Sequence, residues 1–357
     1  MWKLNHQITD LRKFDLNSTY LSVLQKGGKV KIYFKKDLSK SLWDVQLQDF
    51  GELSLMNNFL IWQDHDGKTQ VFNLQFKSSV NLNFKNNESI LYQGAANNEE
   101  LDSFYAYFND DNDQHYQTKF QIIEGNLSLI WKKKYTPLRF FKHKKENAIY
   151  ITTVKKGELV KINTIDGKTV WRSKINLTGR FNHILGANYN CIFLWTSTNE
   201  IIAINLLNGN LEWSIDKLPK PEGWADEAAL RFSNIKILNE NLMIGMKNRR
   251  LWNINLVNGN VAEPINYSNK FTSEGLYNQS TNYCFDGELI TFFDEFERKL
   301  ISFNWKTEKV ESITPFPIQG KESICSWQGP IIEGDNCFLL DTFGTLFIFE
   351  RTKKKTV

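Results

Sequence analysis

Apolar and polar residues alternate in two segments of the chain that are nearly copies of each other. Residues 158–171 read ELVKINTIDGKTVW and residues 200–213 read EIIAINLLNGNLEW, in register at every position. Residues 250–262, RLWNINLVNGNVA, form a looser third copy. Each copy is an apolar run, an Asp-Gly or Asn-Gly pair and a second apolar run. This order predicts a β-hairpin with a type I′ turn, which needs a positive φ at both central residues.

The turn glycines of the three copies recur at intervals of about 40 to 50 residues, which is typical of the blades of a β-propeller. Strand-like runs at 138–144 and 148–154 precede the first copy and complete a four-stranded unit, in which the hairpin supplies strands C and D. The same order can be followed along most of the chain. The predicted D strands are 41–47, 79–84, 127–132, 169–175, 210–215, 261–265 and 309–314, and the last two are degenerate copies in which the tryptophan is lost.

The eighth unit is divided between the two ends of the chain. Residues 337–340 and 345–350 resemble strands B and C with no strand D after them. Residues 1–8 resemble a free strand D with Trp2 in the tryptophan position. Pairing of these segments would close the ring and remove the sheet edges that an open array exposes.

We therefore predict an all-β fold, a closed β-propeller of eight four-stranded antiparallel blades. It forms a single domain over residues 1–350, with a basic C-terminal tail at 351–357. Eight units average about 45 residues each, whereas seven, the alternative number, would average about 51. The tryptophans that follow the turns are expected to pack between neighbouring blades, and these are Trp43, Trp131, Trp171 and Trp213.

The remaining composition contains no catalytic or metal-binding pattern. The four cysteines are far apart without a CxxC pair, and none of the five histidines lies in an HxH or HExxH motif. We expect no metal, no cofactor and no enzymatic activity. The formal charge of +4 is small for 357 residues and argues neither for nor against a polyanionic partner. No signal-like h-region and no run of roughly 18 apolar residues occurs, so we expect a cytoplasmic protein without a membrane span.

The repeated pattern resembles the PQQ-like β-propeller repeat, and residues 161–171 and 203–213 carry the resemblance. WD40 repeats are the nearest alternative, but a Gly-His opening and a regular terminal Trp-Asp are missing. Members of the PQQ-like family include quinone-dependent alcohol dehydrogenases and the non-catalytic scaffold lipoprotein of outer-membrane assembly. The dehydrogenases share an adjacent Cys-Cys pair, a Ca²⁺ site and a catalytic Asp. This chain has no adjacent cysteines, so the resemblance implies the non-catalytic branch, without an export signal that would carry over the lipoprotein's role.

In a propeller, the B–C and D–A loops emerge on one face and the A–B and C–D loops on the other. Four insertions, at 109–117, 216–227, 268–280 and 315–329, are all predicted to lie on the first face. Aromatic and charged residues on loops of a rigid scaffold are typical of a binding surface. The predicted partner-binding residues are Trp224, Asp226, Glu227, Tyr116, His115, Asp110, Asp111, Tyr277, Phe316 and Trp327. The alternative is that the aromatic side chains fold back and fill the central channel.

Two kinds of charged run have a simpler interpretation than a site. The acidic run at 109–113 lacks the Gly and the bidentate Glu of a loop-type calcium site, so we expect a solvated loop, with a cation site as the alternative. The basic runs at 132–134, 142–145 and 353–355 are expected to be solvated strand ends and a frayed tail. Nucleic acid is therefore not an expected partner.

These observations predict a non-enzymatic module that binds a protein partner, as a scaffold or as an inhibitor or tether. Trp224 is expected near the centre of the partner surface, because the loop around it, KLPKPEGWADEAA, is stiffened by two prolines. The alternative function is a small-ligand-binding or enzymatic propeller with its site in the central channel.

Overall fold

The ring of the predicted propeller is closed and contains eight blades. The computed structural model describes residues 2–47, 51–56, 58–64, 69–80, 82, 89–91, 103–110, 112, 114–123, 126–135, 137–143, 146–216, 218–219, 235–247, 249–276, 283–294, 297–316 and 329–352. Within them, the chain forms eight four-stranded antiparallel sheets and one short helix. The predicted fold class and the predicted number of blades are confirmed, and the seven-bladed alternative is wrong.

The strands follow one another in the order A, B, C, D within each blade. The N-terminal strand is β1 (Trp2–Ile8). Blades 1 and 2 are β2 (Leu11–Leu16), β3 (Tyr20–Gln25), β4 (Lys29–Phe34), β5 (Trp43–Gln46), β6 (Gly51–Met56), β7 (Phe59–Asp64), β8 (Thr69–Asn73) and β9 (Ser78–Val80). Blades 3 and 4 are β10 (Ser89–Leu91), β11 (Ser103–Asn109), β12 (His115–Ile123), β13 (Asn126–Lys134), β14 (Pro137–Lys142), β15 (Ala148–Thr153), β16 (Glu158–Asn163) and β17 (Thr169–Lys174).

The second half of the chain continues the same order. Blades 5 and 6 are β18 (Phe181–Ala187), β19 (Cys191–Thr196), β20 (Ile201–Asn205), β21 (Leu211–Ile215), β22 (Ile235–Asn239), β23 (Leu242–Lys247), β24 (Arg250–Asn255) and β25 (Ile265–Asn266), and the helix α1 (Ser268–Ser273) follows them. Blades 7 and 8 are β26 (Tyr283–Asp286), β27 (Leu289–Asp294), β28 (Lys299–Asn304), β29 (Lys309–Pro315), β30 (Ile331–Glu333), β31 (Asn336–Leu340) and β32 (Leu346–Arg351), completed by β1.

The core lies in layers between neighbouring blades. Every residue of the B strands β15 and β19 is buried, and both strands are rich in the β-branched and aromatic residues that suit a covered sheet. Successive side chains of a strand point to opposite faces. Ile149 and Ile151 therefore pack with Tyr105 of blade 3, whereas Tyr150 packs with Ile192 of blade 5. A single blade would leave both of these apolar faces in water, so its stability depends on its neighbours.

The N-terminal strand closes the ring as predicted. β1 pairs with β32 in antiparallel register, from Trp2 opposite Arg351 to Ile8 opposite Leu346. The pairing covers the edge of β32 that would otherwise be exposed and completes blade 8 with a fourth strand. Arg351 belongs to β32, so the strand extends one residue into the segment that was predicted to be the tail; residues 353–357 lie outside the described residues.

The hairpins of blades 4, 5 and 6 are confirmed, but their predicted turn type is wrong. In the C–D turn of blade 4, Gly167 has a positive φ, of 68°, and Asp166 before it does not. The Gly167 N–H donates to the Asn163 carbonyl at 3.0 Å, and Asn163 Oδ1 accepts the N–H of Ile165 at 2.8 Å. The asparagine thus starts an Asx turn, which gives a wider turn with one left-handed residue instead of two. The asparagines at the same place in the other blades are Asn73, Asn205, Asn255 and Asn304.

The tryptophan of strand D packs on the turn of the next blade. Trp171 Nε1–H donates to the Leu206 carbonyl at 3.0 Å, and a Cβ added to Gly209 would lie 2.8 Å from Trp171 Cε3. The turn glycine is therefore required both by its φ of 77° and by the indole against it. Trp131 makes the same two contacts with blade 4, and Trp213 makes them with blade 6. Their predicted inter-blade role is confirmed.

Blade 6 has no tryptophan in strand D, and a tyrosine takes over its contact. The hydroxyl of Tyr267, which directly follows β25, donates to the carbonyl of Trp305 at 2.8 Å. Trp305 directly follows strand C of blade 7, as Leu206 follows strand C of blade 5. The carbonyl that receives an indole N–H in the earlier blades thus receives a phenol O–H here.

Trp2 lies in strand D, but it does not occupy the predicted tryptophan position. Its Nε1–H donates to Ser302 Oγ of the preceding blade at 2.8 Å, and the indole is 3% exposed in a core shared with Phe293. Arg351, directly opposite on β32, lies 4.8 Å from the centre of the ring. The Trp2 side chain therefore packs on the preceding blade, blade 7, whereas Trp131, Trp171 and Trp213 each pack on the blade that follows their own.

Candidate functional site

The strand order assigns the connections to two faces of the ring. Because adjacent strands are antiparallel, the B–C and D–A connections leave one face, which we call the loop-rich face. The A–B and C–D connections leave the opposite face, which we call the turn face. The segment 110–114 is the B–C connection of blade 3, and the D–A connections after β21, β25 and β29 are long. The predicted placement of the insertions follows from this topology.

Asp110 organises the B–C loop of blade 3. Its Oδ1 accepts the N–H groups of Asn112 and Gln114, both at 3.0 Å, and its Oδ2 accepts the hydroxyl of Tyr116 at 2.9 Å. Some loss of solvation favours the neutral acid, but these hydrogen bonds and the charge of Lys132 outweigh it and hold the pKa of Asp110 below its usual value. The carboxylate is therefore ionised and already used by its own loop. Asp110 therefore has a structural role in this loop, and Asp111 and Asp113 of the acidic run lie outside the described residues, so the solvated loop and its alternative, a cation site, stay predictions.

Tyr116 and Lys132 form a small platform beside this loop. Lys132 Nζ lies 4.6 Å from the centre of the Tyr116 ring and 5.8 Å from that of Phe108. Tyr116 and His115 are both half-buried in β12, and the Tyr116 ring also packs near Phe108, at 6.4 Å. A cation held over an aromatic face is a pre-formed contact surface for an acidic or polar partner group.

Two of the D–A insertions bury part of their length instead of exposing it. In the insertion after β25, Phe271 of α1 and Leu276 are fully buried in the core between blades 6 and 7. Phe316, which was predicted to bind a partner, is 7% exposed, and its ring lies 4.3 Å from that of Phe347 and 4.9 Å from that of Phe293. It fills the interface between blades 7 and 8. The prediction of Phe316 as a partner-binding surface residue is wrong, because burying its ring in this core is lower in free energy than exposing it to water.

Most of the other predicted partner-binding residues lie outside the described residues. These are Asp111, Trp224, Asp226, Glu227, Tyr277 and Trp327. The described start of the loop that carries Trp224 is fixed to blade 6, because Trp252 Nε1–H donates to the Pro219 carbonyl at 2.9 Å. Of the predicted set, the described part of the chain brings together Asp110, His115 and Tyr116.

A cavity of about 160 Å³ opens on the loop-rich face between blades 3 and 4. It is lined by Lys134, Tyr135, Thr153, Val154, Lys155, Glu158 and Arg172. Glu158 is the leading residue of the first repeat copy, and it is 6% exposed. Its Oε2 accepts the Thr153 hydroxyl at 2.6 Å, and Arg172 Nη1 lies 3.4 Å from its Oε1. The sequence analysis missed this cavity, since its residues come from four separate segments and each alone resembles an ordinary strand end.

The basic runs around strand A of blade 4 lie on opposite faces. β13 ends at Lys134 on the loop-rich face, and β14 then crosses the blade to Lys142 on the turn face. Lys142 Nζ donates to the carbonyls of His143 and Glu146 there. These charges are therefore not gathered on one surface, which a polyanion would require.

The turn face carries an apolar feature that the sequence analysis also missed. Ile165, Leu207 and Val257 stand at the same place in the turns of blades 4, 5 and 6, and they are 66%, 83% and 69% exposed. The repeat itself gave the signal, because all three copies have an aliphatic residue two positions after the turn asparagine. Single exposed aliphatic residues are common on protein surfaces, but here one recurs at the same position of three successive blades and so forms an apolar row.

Polar residues on the A strands, which lie nearest the axis, connect neighbouring blades. Asp15 accepts the N–H of Leu55 in blade 2 at 2.8 Å, and burial raises its pKa despite that bond. Lys236 donates to the Phe285 carbonyl of blade 7 at 3.2 Å. Burial, with the charge of Arg139 beside it, lowers the pKa of His183.

Among the described residues, no group of three or more His, Cys, Asp or Glu side chains is placed to hold a metal.

Comparison with known proteins identifies the family. A family model, PQQ_2, described as the outer membrane protein assembly factor BamB, matches residues 128–357, from the last strand of blade 3 onwards. The chain belongs to this family. The resemblance seen in residues 161–171 and 203–213 is thereby confirmed, and the PQQ_2 match extends over the degenerate blades 6 to 8. No curated protein matches this PQQ_2 member in sequence.

Solved structures of low sequence identity share the fold of this PQQ_2 chain. Sqt1 from Saccharomyces cerevisiae superposes with a TM-score of 0.64 at 12% identity, over 99% of this chain and 98% of that one. BamB from Moraxella catarrhalis gives 0.58 at 10% identity, over 98% and 100% of the two chains. The C-terminal WD40 domain of Sif2 gives 0.66 at 8% identity, over 99% of each. The described residues contain no helix long and apolar enough to cross a membrane.

Proposed function

We propose that this PQQ_2-family propeller is a non-enzymatic interaction module that binds a protein partner on its loop-rich face. The observation that carries the proposal is the unequal construction of the two faces. On the turn face, blades 4, 5 and 6 repeat one short turn, fixed by an asparagine and a glycine. On the loop-rich face, the Asp110 loop, the α1 insertion and a cationic cavity differ from blade to blade. Sites of recognition are found where a rigid scaffold carries varied loops.

The family supports the same role. The matching family model is described as an assembly factor, which is a protein that acts with other proteins. The similar solved structures support the propeller scaffold and nothing further, because their sequence identities are 8 to 12%.

The partner surface is proposed to include the platform of Tyr116 and Lys132, with His115 beside it. Lys132 is exposed above two aromatic rings, so an acidic group of a partner can approach it without moving the loop. Asp111, Trp224, Asp226, Glu227, Tyr277 and Trp327 stay predictions for the same face. The cytoplasmic location of the protein also stays a prediction.

The experiment compares two single variants on opposite faces. Tagged wild-type protein, Lys132→Glu and Leu207→Ser are used for pull-downs from the native host, and a protein recovered with the wild type is purified and titrated against all three. We expect Lys132→Glu to weaken binding at least about tenfold, since it reverses a charge at the contact, and Leu207→Ser to bind like the wild type. Equal melting temperatures would show that both variants are folded.

Two results would contradict the proposal. Loss of binding in Leu207→Ser with full binding in Lys132→Glu would place the partner on the turn face. Turnover of a substrate with an added quinone, or stoichiometric binding of a small ligand that the partner does not displace, would favour the alternative site in the central channel.

A further inference from the structure

We propose that the cavity between blades 3 and 4 binds a carboxylate, the side chain of a Glu or Asp on the protein partner. This inference rests on the proposed function, because it names the chemistry that the loop-rich face recognises. The cavity lies on that face, where β13 ends and where β15 turns into β16. Its volume of about 160 Å³ equals that of roughly five water molecules at ~30 Å³ each, which is enough for a carboxylate and its methylene groups.

The charges around the cavity are unbalanced. Three cations, Lys134, Lys155 and Arg172, line it together with a single carboxylate, that of Glu158. Glu158 is already bound by the Thr153 hydroxyl and lies beside Arg172. Neither lysine forms an ion pair with any carboxylate in the described part of the chain. Like charges that converge on a cleft focus a positive potential there, and an entering anion relieves their repulsion.

The walls are held in place before any ligand binds. The Arg172 guanidinium lies 5.7 Å from the centre of the Tyr135 ring, and the Tyr135 hydroxyl is hydrogen-bonded to Thr169 Oγ1 at 2.8 Å. The turn that carries Lys155 is fixed by Gly157, whose carbonyl accepts the Ile175 N–H at 2.9 Å. Gly157 has a φ of 69°, and no Cβ would fit against the backbone there. A pre-organised site loses less entropy on binding than a flexible one.

Apolar surface in the cavity favours an acidic side chain over an inorganic anion. Val154, which is 39% exposed, and the ring of Tyr135 line the cavity beside the cations. Methylene groups can pack on these two side chains, whereas phosphate or sulfate would leave them in water. The apolar walls, together with two ammonium groups that form no ion pair among the described residues, match a Glu or Asp side chain.

Blade 5 has a glutamate at the same position of the repeat, but hydroxyl groups surround it. Glu200 directly precedes strand C of blade 5, at the repeat position that Glu158 occupies in blade 4. Its carboxylate accepts the hydroxyls of Thr178, Thr196 and Thr198 at 2.6 to 3.0 Å. Three hydroxyl groups therefore satisfy the structural glutamate in blade 5 without an ion pair among the described residues, and the charge of Lys156 adds a smaller contribution. The lysines around Glu158 exceed what the fold requires.

The test uses the whole protein and a small probe, so it needs no partner. N-acetyl-glutamate N-methylamide is titrated into methyl-labelled protein, and the Val154 methyl signals report on the cavity. We expect saturable shifts with a Kd on the order of 10 mM, weakened at least about fivefold in Lys155→Gln. Lys156→Gln is the matched control, because Lys156 is the exposed neighbour of Lys155 and does not line the cavity. It should bind like the wild type.

Three outcomes would overturn the assignment. These are equal shifts with the neutral glutamine analogue, equal losses in Lys155→Gln and Lys156→Gln, and tighter binding of inorganic phosphate than of the glutamate probe. A titration without saturable shifts would overturn the carboxylate site but not the partner surface tested by the pull-down. A pull-down that contradicts the loop-rich face would not change the result of the titration. The two proposals can therefore fail separately.

Discussion

The interfaces between blades 4, 5 and 6 differ from the two interfaces of blade 7 in the residues that build them. In the first region, a tryptophan of one blade reaches forward to a carbonyl and a turn glycine of the next, and the contact is repeated almost atom for atom. Blade 7 receives a tyrosine hydroxyl from blade 6 and an indole from blade 8. Each interface thus needs a large ring and a buried donor that meets an acceptor, while the residue type and the direction of approach can change.

The direction changes at the closing interface for a topological reason. β1 is not joined to strand C of its blade by a turn, so no turn fixes its register. Its register is set by pairing with β32, which places Trp2 opposite Arg351 and turns the indole towards blade 7. Thr314 of blade 7 adds a hydrogen bond to the Trp2 carbonyl at 3.1 Å. The first strand of the chain is therefore fixed by two blades.

The largest expected effect is that of Trp2→Ala. The indole is 3% exposed, and its loss should lower the free energy of unfolding by about 3 to 5 kcal/mol, as for a buried aromatic residue in a core. Trp171→Ala in the repeated region should cost less, about 2 kcal/mol, because that indole is only half-buried. Urea unfolding followed by circular dichroism measures both. Equal costs would mean that the closing interface depends on strand pairing and not on this side chain.

An intermediate effect is expected from Tyr267→Phe. The variant keeps the ring, which is 1% exposed, and removes the hydroxyl that bonds to the Trp305 carbonyl, so a buried acceptor loses its partner. The expected cost is about 1 to 2 kcal/mol. Trp213→Phe removes the corresponding donor to the Leu256 carbonyl and is the matched variant in the repeated region. If Tyr267→Phe is neutral while Trp213→Phe is not, the tyrosine is not the substitute for the missing tryptophan.

The comparison also shows how far the sequence alone can lead. The strong copies at 158–171 and 200–213 predicted their hairpins and the packing of Trp171 and Trp213, because each copy contains both halves of the contact. Tyr267 could not be found in this way, since it lies after a strand of two residues that the repeat pattern does not describe. The backward direction of Trp2 depends on pairing with a strand at the other end of the chain.

The candidate site was less predictable than the fold for a similar reason. Strand order alone assigned the insertions to one face, and Asp110 and Tyr116 lie together there. Exposure, however, is decided by what surrounds a side chain, and Phe316 is buried by rings from blades 7 and 8. The cationic cavity combines residues from two blades, so no local pattern contains it.

The smallest expected effect, and one of opposite sign, concerns the turn of blade 7. Glu308 stands where the repeated turns have glycine, and it adopts a φ of 56°, a left-handed conformation that costs free energy for any residue with a Cβ. Its side chain is exposed. Glu308→Gly should therefore raise the free energy of unfolding by about 0.5 to 1 kcal/mol, after the gain is reduced by the greater entropy of glycine in the unfolded chain. Thr307→Gly, one residue earlier at an ordinary φ, should lower the free energy of unfolding. Gly209→Ala in the repeated region should lower it further, because the new Cβ would clash with Trp171. Urea unfolding of the three variants decides the point: a loss of stability in Glu308→Gly would mean that the glutamate side chain stabilises the turn by more than its backbone strain costs.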